Sequence, residues 1–372
     1  MFCGFLLTIL RHWQYNAREM SKNMRFFRPL ALCMVCCLLA VCYGCSGPHE
    51  EPARESIEDT EKPVFLMIPK EMSNPYMLKM FEGFAAACSE FGAIPRYGAV
   101  EVNTAQAQIE LISQAVADGN VSVIAVAAND ADELESALKA AMEAGIQILS
   151  LDSAVNQNSR MVHIQQAGPE IIGRALVQAT RIMTDGEAVV GLISTTPYAT
   201  NQNLWISWML RELDDYPEKY QNFRLLPVVY GDDLPEKSKA VTLALLEEHP
   251  DLTAIITPSV VSMLAVGQVL REQNSDIIFT GLGLPSEIAP FIEDGSCPWM
   301  YLWNPFDIGY LAAWTSQALH TGEITGREGD YFAAGRLGQR VVVNGADGGT
   351  EVLLGDPIKF DRTNIDEWRL VY

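Results

Sequence analysis

Several short stretches of this chain place polar and aromatic side chains directly after apolar runs. Lys70, Asn74 and Tyr76 follow Val64-Phe65-Leu66-Met67-Ile68, and Asp152 follows residues 147–151. Asn201 and Gln202 lie in the segment after residues 188–193, Pro258 and Ser259 follow 254–256, and Trp303 and Asn304 come late in the chain. An ammonium, carboxylates, amides and flat rings in one set suit a small molecule with hydroxyls on its edges and C–H groups on its faces, as a sugar has. The candidate ligand residues are Lys70, Asn74, Tyr76, Asp152, Asn201, Gln202, Pro258, Trp303 and Asn304. Asp152 is the hardest to dismiss, because it ends a strongly apolar run where an unpaired carboxylate is costly.

Other polar residues have a structural reading. Asp130, beside Asn129, is expected to cap the following helix. Asp233 with Glu236 three residues on reads as a capping box. Trp205 and Trp208, three apart on a helix, read as core. All of these are left outside the site.

Catalysis has little support. The chain has no GxSxG elbow, no P-loop and no HExxH. Lys70 and Asp152 could do acid–base work, but binding alone explains them. His49, His163, His249 and His320 are scattered and the body has no CxxC of metal spacing, so neither a metal nor a cofactor is expected. Cys88 and Cys297 each sit in an apolar context and read as buried free thiols.

The elements that must position these residues alternate. Residues 64–68, 121–126 and 147–151 read as strands, with helices over 105–118 and 132–144 between them. The pattern restarts with strands at 188–193, 225–229, 254–256 and 277–281 and helices at 203–213 and 240–248. This is an α/β chain with parallel sheets covered by helices, in two halves. Ligands of such sheets bind beyond the carboxyl ends of the strands, where the candidate residues stand.

At 372 residues the chain exceeds one typical core. A net charge of −21 argues against nucleic acid, which requires clustered Lys and Arg. Arg25 and Arg28 precede an apolar run over 29–41, too short to span a bilayer but suited to a secretion signal. Cys42-Tyr43-Gly44-Cys45-Ser46 resembles the bacterial lipoprotein cleavage box, with Cys42 where such boxes have Leu; Cys45 would carry the lipid. Residues 1–45 are thus read as a signal peptide, with Met20 and Met24 as alternative starts. Residues 46–61, rich in Pro, Glu and Ser, read as a flexible tether.

Beyond residue 62 the motifs resemble the periplasmic-binding-protein-like sugar receptors of ABC transporters, the ribose and galactose type, and among them most of all the rhamnose-binding proteins. The resemblance is carried by Ala127-Ala128-Asn129-Asp130, Thr200-Asn201-Gln202-Asn203-Leu204-Trp205-Ile206 and Val229-Tyr230-Gly231-Asp232-Asp233-Leu234. Thr280-Gly281-Leu282-Gly283-Leu284-Pro285-Ser286-Glu287, Leu302-Trp303-Asn304-Pro305-Phe306-Asp307, Ala334-Gly335-Arg336 and Asp361-Arg362-Thr363-Asn364-Ile365-Asp366 extend it. It implies the type I periplasmic binding protein fold: two Rossmann-like lobes with parallel sheets joined by a hinge. The N-terminal lobe would take residues 62–164 and 305–334, the C-terminal lobe 165–304 and 335–372.

The function so implied is an extracytoplasmic, lipid-anchored solute-binding protein of an ABC importer. It would bind L-rhamnose or a similar monosaccharide as a monomer, deliver it to permease subunits and catalyse nothing. A sister family binds the furanosyl signal autoinducer-2. It is similar at Lys70, Asp152, Gln202 and Pro258, but has Asp where this chain has Asn201 and Ala where it has Val260. A sugar-responsive transcription regulator shares the lobe architecture, but would need a DNA-binding domain where this chain has a signal and an acidic tether.

Overall fold

The structure, a computed structural model, describes residues 62–372; the signal, the Cys45 lipid site and the tether expected from the sequence lie outside the described residues. The first half runs β1 (Val64–Ile68), α1 (Pro75–Phe91), β2 (Ile94–Tyr97), α2 (Ala105–Asp118), β3 (Val123–Val126), α3 (Glu135–Glu143), β4 (Gln147–Leu151) and β5 (Val162–Gln165). The second runs α4 (Pro169–Met183), β6 (Glu187–Ser194), α5 (Thr200–Asp215), β7 (Asn222–Tyr230), α6 (Pro235–Glu248), β8 (Ala254–Thr257), α7 (Val260–Glu272), β9 (Ile278–Gly281), α8 (Pro285–Asp294) and β10 (Trp299–Leu302). The chain then returns through α9 (Pro305–His320), β11 (Tyr331–Ala333), β12 (Gln339–Val341), β13 (Val343–Asn344) and β14 (Thr350–Leu353), and ends in β15 (Ile358–Asp361) and α10 (Ile365–Trp368).

Two main sheets result, beside the two-stranded pairs β10-β15 and β11-β12. One has the order β13-β14-β5-β4-β3-β1-β2, the other β7-β6-β8-β9. Every pairing among their main strands is parallel; β13 alone runs antiparallel, on β14. Helices cover both faces, so β1, β3 and β8 are buried along their whole length and read as unbroken apolar runs. The sheet around β1 and its helices form one lobe, and the sheet around β6 the other. The chain crosses between lobes three times: from β5 to α4, from β10 to α9 and from β14 to β15.

The second return differs from the sequence expectation. β14 lies parallel to β5 with Glu351 opposite His163, and Val352 is buried there. Residues 343–353 therefore belong to the first sheet, beyond the expected break after 334. Only β15, antiparallel to β10, goes back to the second lobe.

Local signals set the helix ends. Pro75 opens α1 with Asn74 as its cap, and Gly92 at φ 82° closes it. Asp130 accepts from the N–H groups of Asp132 and Glu133 at 2.9 and 3.0 Å, which lie in the turn before α3; the cap position of α3 is Leu134, with no side-chain bond, so Asp130 does not cap the helix as expected. α5 starts at Thr200 rather than at 203, which puts Asn201 and Gln202 inside its first turn. Cys88 and Cys297 are both buried, and neither forms a disulfide among the described residues. No helix among the described residues is long and apolar enough to cross a membrane.

Candidate ligand-binding site

Between the lobes, at the carboxyl ends of both sets of parallel strands, lies a narrow slot of about 40 Å³. Eight of the nine expected residues line it: Lys70, Asn74, Tyr76, Asp152, Asn201, Gln202, Pro258 and Trp303. Lys70 follows β1, Asp152 follows β4, Asn201 and Gln202 open α5 after β6, Pro258 follows β8 and Trp303 follows β10. Room for about three waters at ten to fifteen cubic ångströms each is less than a sugar ring requires, so the lobes are shut over the slot.

The charged centre is Lys70 and Asp152, whose Nζ and Oδ2 stand 3.4 Å apart with both side chains over nine-tenths buried. Asp152 takes φ 61°, a left-handed conformation uncommon outside glycine and asparagine, and thereby turns out of β4 into the slot. Its Oδ1 accepts from Gln166 Nε2 at 2.6 Å, which leaves Oδ2 and Lys70 facing the ligand space. The hydroxyl of Tyr76 accepts from Trp303 Nε1 at 2.6 Å and faces Asp152. Burial, reinforced by that negative charge, holds the phenol well above its usual pKa, so Tyr76 stays a neutral donor.

On the other wall, Gln202 Oε1 accepts from Ser194 Oγ at 2.6 Å and Thr195 N at 3.0 Å. Asn201 Oδ1 accepts from Ser153 Oγ at 2.9 Å and from Gln202 N at 2.8 Å. With both carbonyl oxygens engaged, the two amide nitrogens are left to the slot. The aromatic side is a train of rings: Tyr76 lies edge-on to Trp303, and Trp303 lies 5.6 Å from Trp205. Trp205 is buried as a core residue should be, yet it also lines the slot. Its Nε1 and Thr195 Oγ1 are buried polar atoms with no hydrogen-bond partner among the described residues. Orphaned polar atoms are rare in folded proteins, and their gathering here is what a polar ligand would satisfy.

Two further residues depart from expectation. Asn304 is outside the slot: its Oδ1 caps α9 by accepting from Phe306 N at 3.0 Å. Asp233, read as a helix cap, is inside. The cap position of α6 is Leu234, with no side-chain bond, because Asp232 and Asp233 both take positive φ and Pro235 carries no N–H. Asp233 instead accepts from Ser259 Oγ at 3.0 Å and, across the cleft, from Asn74 Nδ2 at 3.1 Å. Burial pushes its carboxyl above the usual range, against the pull of Lys70. Its local sequence, with Glu236 three residues on, reads as a capping box, and no local signal shows the partner 159 residues away. Among the described residues no cluster of His, Cys, Asp and Glu could hold a metal.

A family model described as a periplasmic binding protein domain matches residues 65–324. The chain belongs to this family. Periplasmic binding proteins are the substrate-binding components of ABC transporters and perform no catalysis. Among solved structures, an ABC transporter solute-binding protein from Clostridium phytofermentas with bound L-rhamnose is 40% identical, with a TM-score of 0.81, 84% of this chain covered and 99% of that one. LsrB from Clostridium saccharobutylicum in complex with AI-2 is 21% identical with a TM-score of 0.76, covering 82% of this chain and 99% of its own, a likeness of fold alone. The D-ribose/D-allose-binding protein of Pseudomonas aeruginosa is 22% identical over 252 residues, 64% of this chain and 76% of that protein. The periplasmic-binding-protein fold thus accounts for the parallel sheets covered by helices.

Proposed function

We propose that this periplasmic binding protein captures L-rhamnose or a closely similar deoxyhexose in the slot between its lobes, for import by an ABC transporter. The observation that carries the reading is the lining of the slot. A buried ammonium–carboxylate pair, two amide nitrogens without partners among the described residues and a run of three rings match the edge hydroxyls and apolar faces of a pyranose. The 40% identity to a rhamnose-bound protein supports the choice of sugar. Asn201 and Val260, both in the slot, argue against the furanosyl autoinducer, whose receptors resemble this chain but carry Asp and Ala there. Asn201 presents an N–H donor where a carboxylate would only accept, and Val260 narrows the space.

Lys70, Asn74, Tyr76, Asp152, Asn201, Gln202, Pro258 and Trp303 are proposed as ligand contacts, joined by Trp205 and Asp233. The two lobes are proposed to hinge at the three crossings. Secretion and lipid attachment at Cys45 complete the reading, with the chain tethered outside the cytoplasm as a monomer that delivers sugar to permease subunits. Calorimetry with a panel of monosaccharides and autoinducer-2 tests the ligand. L-rhamnose is expected to bind with a dissociation constant near the micromolar range, about −8 kcal/mol. Tighter binding of the autoinducer than of any sugar overturns the assignment.

A further inference from the structure

A second space adjoins the slot. It is a groove of about 600 Å³, within the range of small-molecule sites, and Asp152 and Asn201 line both spaces. The segment after β4, the first turns of α5 and the loop before β14 wall it, so both lobes contribute. Six of its eighteen lining residues are carboxamides, and no Phe, Tyr or Trp lines it. Asn201 is over nine-tenths buried at the junction, and its Nδ2 has no protein partner among the described residues. At the rim the side chains of Gln157 and Asn158 are exposed and likewise form no hydrogen bond within the described residues.

Charge narrows the class of occupant. Arg160 is the groove's only cation of the Lys or Arg type, and it is spent on Asp347 at 2.6 Å and on the carbonyl of Val155. Both ring nitrogens of His163 are engaged, by Ser150 and Gln165, and burial lowers its pKa to about 3, so it is neutral. Carboxylates are therefore in excess, and an anionic occupant is disfavoured. Amides without partners, hydroxyl neighbours and no stacking surface suit a neutral, polyhydroxylated group.

We infer that this groove is a second sugar subsite, so that the protein takes a neutral disaccharide or glycoside, one deoxyhexose in the slot and the next pyranose among Asn201, Gln157 and Asn158. The inference rests on the reading of the slot as a monosaccharide site. The opposite mouth, about 430 Å³, opens past Lys70, Thr195 and Asp233, but its rim exposes Val102, Tyr198 and Leu234 and a hydrogen bond from Asn103 to Asp232 spans it.

Calorimetry on the full-length protein compares L-rhamnose with α-linked L-rhamnobioses. A rhamnobiose is expected to bind about tenfold more tightly than rhamnose, the effect of about one to two net hydrogen bonds. The double substitution Q157A/N158A is expected to abolish that advantage and leave rhamnose affinity unchanged. The subsite is overturned if no rhamnobiose binds more tightly than rhamnose, if the advantage survives Q157A/N158A, or if Tyr198→Ala removes it instead. Failure of rhamnose and every rhamnobiose to bind overturns the slot reading, and the subsite with it.

Discussion

Asp152 reaches the slot only because its backbone turns left-handed at the end of β4, which ties the carboxylate's function to a conformation that most side chains avoid. The test substitution is therefore Asp152→Asn, since asparagine tolerates that region and alanine does not. Loss of one charge-assisted acceptor is expected to cost about 2 kcal/mol of sugar affinity by calorimetry, with folding intact; unchanged affinity would remove Asp152 from the site. Asp233 poses a different question. Its carboxyl is raised by burial, so the folded protein favours the neutral form more than the unfolded chain does. Such a group contributes stability below its ordinary value near pH 4, and loses that contribution as pH rises through the folded value. The melting temperature of Asp233→Asn relative to wild type should thus climb from pH 4 to pH 7; a difference that is flat with pH would show that the carboxyl is not perturbed. These two aspartates also mark what sequence reveals at this scale. Asp152 was legible because an apolar strand pointed at it. Asp233 was not, since its capping pattern is local and its partners, Asn74 and Ser259, come from other strands' ends.

Strand ends position the residues, and helix packing positions the strands. α1 and α9 lie against each other through paired glycines: a Cβ on Gly309 would fall 1.7 Å from the carbonyl oxygen of Met80, and one on Gly83 1.8 Å from that of Phe306. Backbone occupies both places, so neither can yield as a side chain would. Gly309→Ala is expected to destabilise the fold by about 3 kcal/mol or more, read as a lowered urea midpoint; an unchanged midpoint would show that the helices separate at no cost. α9 follows directly on Trp303, so the same substitution should also loosen the aromatic wall of the slot. The helix over 105–118 and the strand over 147–151 were legible to the residue, because apolar residues at helical spacing and a short, mostly apolar run are local signals. β14 was not legible as part of the first sheet. Its partner β5 lies almost two hundred residues earlier, and Thr350-Glu351-Val352-Leu353 carries no periodicity that names a sheet.

At the scale of the whole molecule, the two lobes hold each other by contacts that involve no ligand. Asn103 Nδ2 donates to the carbonyl of Asp232 at 3.3 Å on one flank, and Thr200 Oγ1 donates to the carbonyl of Ala154 at 3.2 Å on the other. Neither side chain lines the slot. Both bonds exist only while the lobes are together, so they favour the shut form without touching sugar. A ligand that touches both lobes gains most contacts in that form, and its apparent affinity is reduced by the fraction of molecules not yet able to adopt it. Removing a cross-lobe bond should therefore weaken binding although every sugar contact remains. Asn103→Ala and Thr200→Val are each expected to lower rhamnose affinity about two- to tenfold, the size of one net hydrogen bond. Because the sites are on opposite flanks with no shared partner, their effects should add in free energy in the double variant. Small-angle scattering supplies the second readout: wild type should compact on adding sugar, and the double variant should start more expanded yet reach the same dimension at saturation. Variants that bind as tightly as wild type would show that the lobes close without help from these bonds, and a wild type that binds without compacting would remove closure from the mechanism.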